Sequence, residues 1–140
     1  MKGSYKKAVL LLIILCIVAM AFIFTPKKYF GKNDDISLYR VIWNGSGERV
    51  NVTETSDLEG IEQLLKNMKC KRYAAPFTPL SDADIVCEID GDRGSAPFHI
   101  VFSSSGGYVY ESAEKGGYKI YDSGEMINKI EEMTVIFNEK

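Results

Sequence analysis

Histidine occurs once in this chain of 140 residues, at position 99. A metal cluster built on several imidazoles has nothing to work with, and a nucleophile–histidine–acid triad has a single position to draw on. Cysteine is scarce too, at Cys16, Cys70 and Cys87. No phosphate-binding glycine loop and no Gly-x-Ser-x-Gly elbow occur, and no internal repeat or low-complexity segment. Acidic residues are missing from one end. Residues 1–32 hold six lysines and no Asp or Glu, so of 17 basic and 19 acidic side chains the remaining 108 residues keep 11 and 19. That stretch carries a net charge of about −8, a field that repels phosphate backbones. Nucleic acid is therefore excluded as a partner, and no cofactor is expected. Nineteen acids allow many carboxylate pairs, yet none stands out as a catalytic pair.

What is present, near the start, is a long hydrophobic run. From Ala8 to Phe24 every residue is apolar, with no Gly or Pro. At 1.5 Å per residue this spans about 25 Å, the short end of a bilayer core, which Tyr5 and Thr25 extend into the interface. A soluble core helix apolar all round would need more cover than so small a domain provides. The run is expected to be an uncleaved signal anchor. "AMA" (Ala19 to Ala21) offers a cleavage site, and secretion after Ala21 is the alternative. Against it, Phe22, Ile23 and Phe24 continue the apolar run, and Pro26 comes too late to break it. Cys16 lies inside the run after Leu15 and lacks the small preceding residue of a lipid-attachment site. Flanking positive charge is nearly balanced, but a basic start followed by an anchor is the usual export signal. The expected location is the cell membrane, single-pass, with the C-terminal domain outside.

The chain then divides into a basic flank (1–7), a transmembrane helix (8–25), a linker (26–35) and one folded domain (36–138). "ISLYRVIW" (Ile36 to Trp43) is β-branched and aromatic, and "NGSG" turns it into "ERVNVT" (Glu48 to Thr53). Ser56 with Glu59 fits a capping box, and Leu58, Ile61, Leu64, Leu65 and Met68 make a helical stripe. "CKRYA" (Cys70 to Ala74) and "ADIVCEID" (Ala83 to Asp90) read as strands around a loop with Pro76 and Pro79. After a turn at "DGDRG", the segments "APFHIVF", "YVYES" and "YKIYD" form a meander. Ser123 opens a last helix from about Gly124 to Met133. The order ββα, strands, α gives an α+β fold, an antiparallel sheet packed with two α-helices.

"GERVNVTETSDLEGIEQLL" and "GGYVYESAEKGGYKIYD", behind an N-terminal anchor, carry a resemblance over about residues 36–133. The chain resembles a family of small membrane-anchored extracytoplasmic domains of unknown function from Gram-positive bacteria. The resemblance implies location and architecture, and supplies no catalytic residues.

Few constellations rise above structural roles. If strands 70–74 and 83–90 pair with Tyr73 opposite Asp84, Cys70 lies opposite Cys87 within reach of a disulfide; the alternative is two buried thiols. "DGDRGS" lacks the third, fifth and twelfth ligands of a calcium loop as an intact set, with Gly94 and Val101 at the last two. His99, on the strand face opposite Phe98, Ile100 and Phe102, reads as a solvent-facing residue. Tyr108 and Tyr110 share one strand face, while Tyr118 and Tyr121 lie on opposite faces of the next; the exposed members would form a binding strip. Lys66, Lys69, Lys71 and Arg72 read as charge complement to a helix C-terminus. The expected function is a non-enzymatic, membrane-anchored module that binds a membrane or cell-surface protein or peptide. Alternatives are an immunity protein against a cationic peptide and, more remotely, a carboxylate-based surface hydrolase.

Overall fold

Pairing within a helix satisfies every backbone N–H and C=O locally, which suits an apolar segment with no water to bond. Accordingly, residues Lys2–Phe24 form one long helix, α1, in the computed structural model, which describes residues 2–44, 47–73, 80, 81, 84–112 and 116–134. Residues 3–24 are all exposed, so the helix buries no face against the domain, and Gly3–Phe24 is long and apolar enough to cross a membrane. The Thr25 hydroxyl donates to the Ala21 carbonyl (2.5 Å), closing the last turn before Pro26.

The remaining chain forms β1 (Lys27–Lys28), β2 (Ile36–Trp43), β3 (Val50–Asn51), α2 (Leu58–Lys66), β4 (Lys69–Tyr73), β5 (Ile85–Arg93), β6 (Ala96–Ser103), β7 (Gly106–Ser112), β8 (Gly116–Ile120) and α3 (Ser123–Glu132). All eight strands join one sheet in the order β1-β4-β8-β7-β6-β5-β2-β3, with every neighbouring pair antiparallel. The class is α+β, as the order of elements implies.

Directly opposed residues of an antiparallel pair share a face, so register alone sorts the side chains. Val41, Ile89, Ile100, Val109 and Tyr118 form one row across five strands. The first four are fully buried and join Ile61 and Leu65 of α2 and Met126 and Ile130 of α3 in a single core. Both helices thus cover this face. Their apolar positions recur every three or four residues, which puts them on one stripe.

Several local details differ from the sequence reading. Asp57, not Ser56, caps α2: its Oδ1 accepts from the Gly60 N–H (3.0 Å), while the Ser56 hydroxyl donates to the Val52 carbonyl (2.6 Å). A short 3-10 turn at Thr53–Thr55 occupies Ser56 in this way and moves the helix start one residue on. α3 begins at Ser123, after Asp122 in a left-handed conformation. β5 runs through "DGDR" to Arg93, because Gly94, at φ 62°, makes the turn to β6 within two residues. The span 26–35 is not a free linker: β1 pairs with β4, and Phe30 is fully buried, its ring 5.0 Å from that of Phe98. Pro76, Pro79 and the centre of "NGSG" lie outside the described residues.

Candidate functional site

The opposite face of the sheet carries the next cross-strand row: Arg40, Asp90, His99 and Tyr110, on β2, β5, β6 and β7. Beside it runs Ile42, Glu88, Val101, Tyr108 and Lys119. Alternation along each strand places these residues here whenever their neighbours fill the core. A bulge between Leu38 and Arg40 adds one more. An extra residue in one strand aims two successive side chains to the same side. Tyr39, 56% exposed, joins Arg40 there.

Contacts along the row are polar and close. His99 Nδ1 stands 2.5 Å from Asp90 Oδ1, so that nitrogen carries the proton and donates to the carboxylate. The Arg40 Nε–H donates to the other oxygen of Asp90. This bond and the adjacent negative charge push the Arg40 guanidinium further up from its ordinary value. His99 Nε2 faces Glu88 Oε1 at 3.8 Å, and Arg49 holds the second Glu88 oxygen at 2.5 Å. Both carboxylates are nearly buried, with side chains 8% and 11% exposed, whereas the two arginines are about half exposed. A buried carboxylate without a partner is costly, so each arginine compensates an acid that the sheet has desolvated.

Tyr110 borders the imidazole, with ring centres 5.9 Å apart. Burial, helped by neighbouring Tyr108, pushes its phenol up to about 12, so it stays a neutral hydroxyl. Tyr39, Asp90, Pro97, His99, Tyr110 and Glu111 line an open cleft of about 240 Å³ at this end of the sheet. Its rim offers two phenols, an imidazole N–H···carboxylate pair and a proline ring. That combination suits stacking and hydrogen bonding to an extended chain. It contains no serine, threonine or cysteine nucleophile. Among the described residues, no three His, Cys, Asp or Glu are placed to hold a metal ion.

The structure disperses the residues singled out by sequence. β4 pairs with β8, and three strands separate it from β5. At about 4.8 Å per strand, Cys70 and Cys87 lie about 19 Å apart across the sheet. The hairpin assumed for a disulfide does not form, and both residues are buried free thiols. Burial pushes each thiol up to about 12. The four tyrosines do not make one strip. Tyr108 and Tyr110 occupy the open face, half-buried; Tyr118 is on the helix face, its ring 5.1 Å from Tyr29; Tyr121 follows β8 and is exposed beside α3. Lys69, Lys71 and Arg72 belong to β4, and only Lys66 lies in the last turn of α2. Sequence reading did not bring Glu88, Asp90, Arg40 and Arg49 together as a site. A detectable signal existed in the alternation of "EID" against "FHIVF", which puts two acids and the histidine on the same outward period.

No family model, curated protein or solved structure matches this chain.

Proposed function

We propose that the chain is a non-enzymatic, membrane-anchored module whose domain lies outside the cell and binds an extended protein or peptide segment on the open sheet face. The observation that carries this reading is the row Arg40–Asp90–His99–Tyr110 with Tyr39 beside it. Protein-binding patches concentrate tyrosine and arginine, often with their polar groups already oriented by neighbours. Here the charges are paired before any partner arrives, so binding would not strand an ion. The helices cover only the other face. The anchor reading is supported by a helix whose residues 8–24 are apolar on every side and exposed throughout. The reading needs neither metal nor cofactor. The surplus of acid in the domain favours a basic partner segment.

Two measurements test it. External protease added to intact cells should remove the domain and leave a membrane-bound stub; a protected domain would refute the outward orientation. Photoreactive residues placed at Tyr39 and Tyr110 of the full-length protein in its own membrane should each give the same discrete adduct. The same probe at Glu125, on exposed α3, should not. Adducts of equal yield from all three positions, or none from 39 and 110, would refute the open face as the binding surface.

A further inference from the structure

We propose that the cleft where α1 meets the sheet binds the anionic headgroup of a membrane lipid; this rests on the reading of α1 as a membrane anchor. The cleft, about 370 Å³, opens between the last turn of α1 and strands β1, β4 and β8. Phe22 and Ile23 form its apolar side, and Lys27, Lys28, Lys71 and Arg72 supply four cations with no Asp or Glu in the lining.

Three observations point to a lipid rather than to a charge scattered by chance. First, the cations are placed against the end of the apolar helix: the Lys27 ammonium lies 4.1 Å from the Phe22 ring centre and that of Lys71 5.4 Å from Phe24. The apolar run ends at Phe24, so in a spanning helix these ammonium groups stand at the depth of the lipid phosphates. Second, none of the four cleft cations pairs with a carboxylate among the described residues, so their charge is uncompensated within the cleft. Lys28 instead donates to the Asn67 side-chain oxygen at 3.1 Å. Third, the pairing fixes them: Lys27 is opposite Cys70 and Lys28 opposite Lys69, while Arg72 is opposite Tyr118. An apolar wall with a ring of exposed, uncompensated cations matches acyl chain below and phosphate above. It also reconciles an acidic domain with an anionic bilayer, because the one face turned to the membrane is basic.

The test uses the full-length protein reconstituted in bilayer nanodiscs of equimolar phosphatidylglycerol and phosphatidylcholine, with retained lipids counted by native mass spectrometry. The expected result is phosphatidylglycerol retained about fivefold or more over phosphatidylcholine at low salt, shrinking as salt rises. The Lys27→Gln/Lys71→Gln/Arg72→Gln variant should lose the preference, and Lys129→Gln, on α3 and outside the cleft, should keep it. All these positions are exposed, so folding is retained. Equal retention of the two lipids by the wild type would overturn the headgroup site while leaving the anchor intact. Displacement of phosphatidylglycerol by millimolar inorganic phosphate would overturn the lipid assignment in favour of a soluble anion. Failure of the protein to float with uncharged vesicles would refute the anchor itself, a separate result.

Discussion

Gly91 of β5 lies opposite Leu38 of β2, and a Cβ added there would meet the Ser37 carbonyl oxygen at 2.6 Å and the Phe98 ring at 2.7 Å. Neither backbone nor a core ring can retreat cheaply, so Gly91→Ala should cost about 1–3 kcal/mol, read as a lowered unfolding midpoint in urea. Gly94 and Gly91 stand three residues apart, yet only the first serves a turn and the second serves packing. Asp90 is the second sensitive residue. Asp90→Ala leaves both the Arg40 guanidinium and the His99 N–H without their acceptor and should destabilise by about 1–3 kcal/mol. Arg40→Ala should cost less, because that side chain is 47% exposed and water replaces much of what is lost. Equal losses in the two variants would mean that the carboxylate is better hydrated than its burial suggests. The outward position of His99 is legible in the alternation of β6. Its acidic partners share that outward period in β5, but the Arg40 contact is not legible, since it forms only when β2 lies beside β5 and the bulge at Tyr39 sets Arg40 opposite Asp90.

Elements with a strong local period were legible: the stripe of α2, the alternation of β6, and the glycine-punctuated run from β5 to β8. Their long-range partners were less so. Sequence neighbours pair readily because short turns leave little choice, and this logic wrongly joined β4 to β5. The span between Tyr73 and Ile85 instead lets β4 reach β8 at the far side of the meander. Consequences for the thiols follow. After denaturation without reductant, Cys16, Cys70 and Cys87 should all alkylate, whereas in the native state Cys70 and Cys87 should resist labelling at neutral pH. Alkylation of Cys16 alone in the denatured, non-reduced chain would contradict this strand order. Alkali should expose the same burial. An unfolded thiol ionises near its ordinary 9, but in the fold each of these holds its proton to about 12. The unfolded chain therefore sheds protons first, so the stabilising contribution is complete below pH 9 and is lost as pH rises toward 12. Melting temperatures measured from pH 7 to 11 should fall above pH 9, less steeply in Cys87→Ala than in the wild type.

At the scale of the whole molecule, apolar length announced the helix α1 directly, because a continuous run needs no tertiary context to be recognised. How it joins the domain was not legible. Lys27 and Lys28 look like ordinary flanking charge, and only the presence of an unoccupied edge on β4 makes them a strand. Phe30 follows as a plug, meeting Tyr29 and Phe98 in edge-on contacts. Phe30→Ala should cost about 3–5 kcal/mol in the fold while leaving α1 helical, measured by near- and far-ultraviolet circular dichroism of the detergent-solubilised chain. A parallel loss of both signals would mean that helix and domain form one cooperative unit. Between the end of α1 and the start of β1 lie only Thr25 and Pro26, a reach of about 7 Å with one torsion locked by the ring. A domain on a long tether sweeps a hemisphere and samples whatever drifts past. This one, if α1 spans a bilayer, is mounted like a blade in a short handle: its height and tilt are set by the helix. Whatever meets its outer face must arrive at that height, which favours encounters by lateral diffusion in two dimensions over capture from bulk solution.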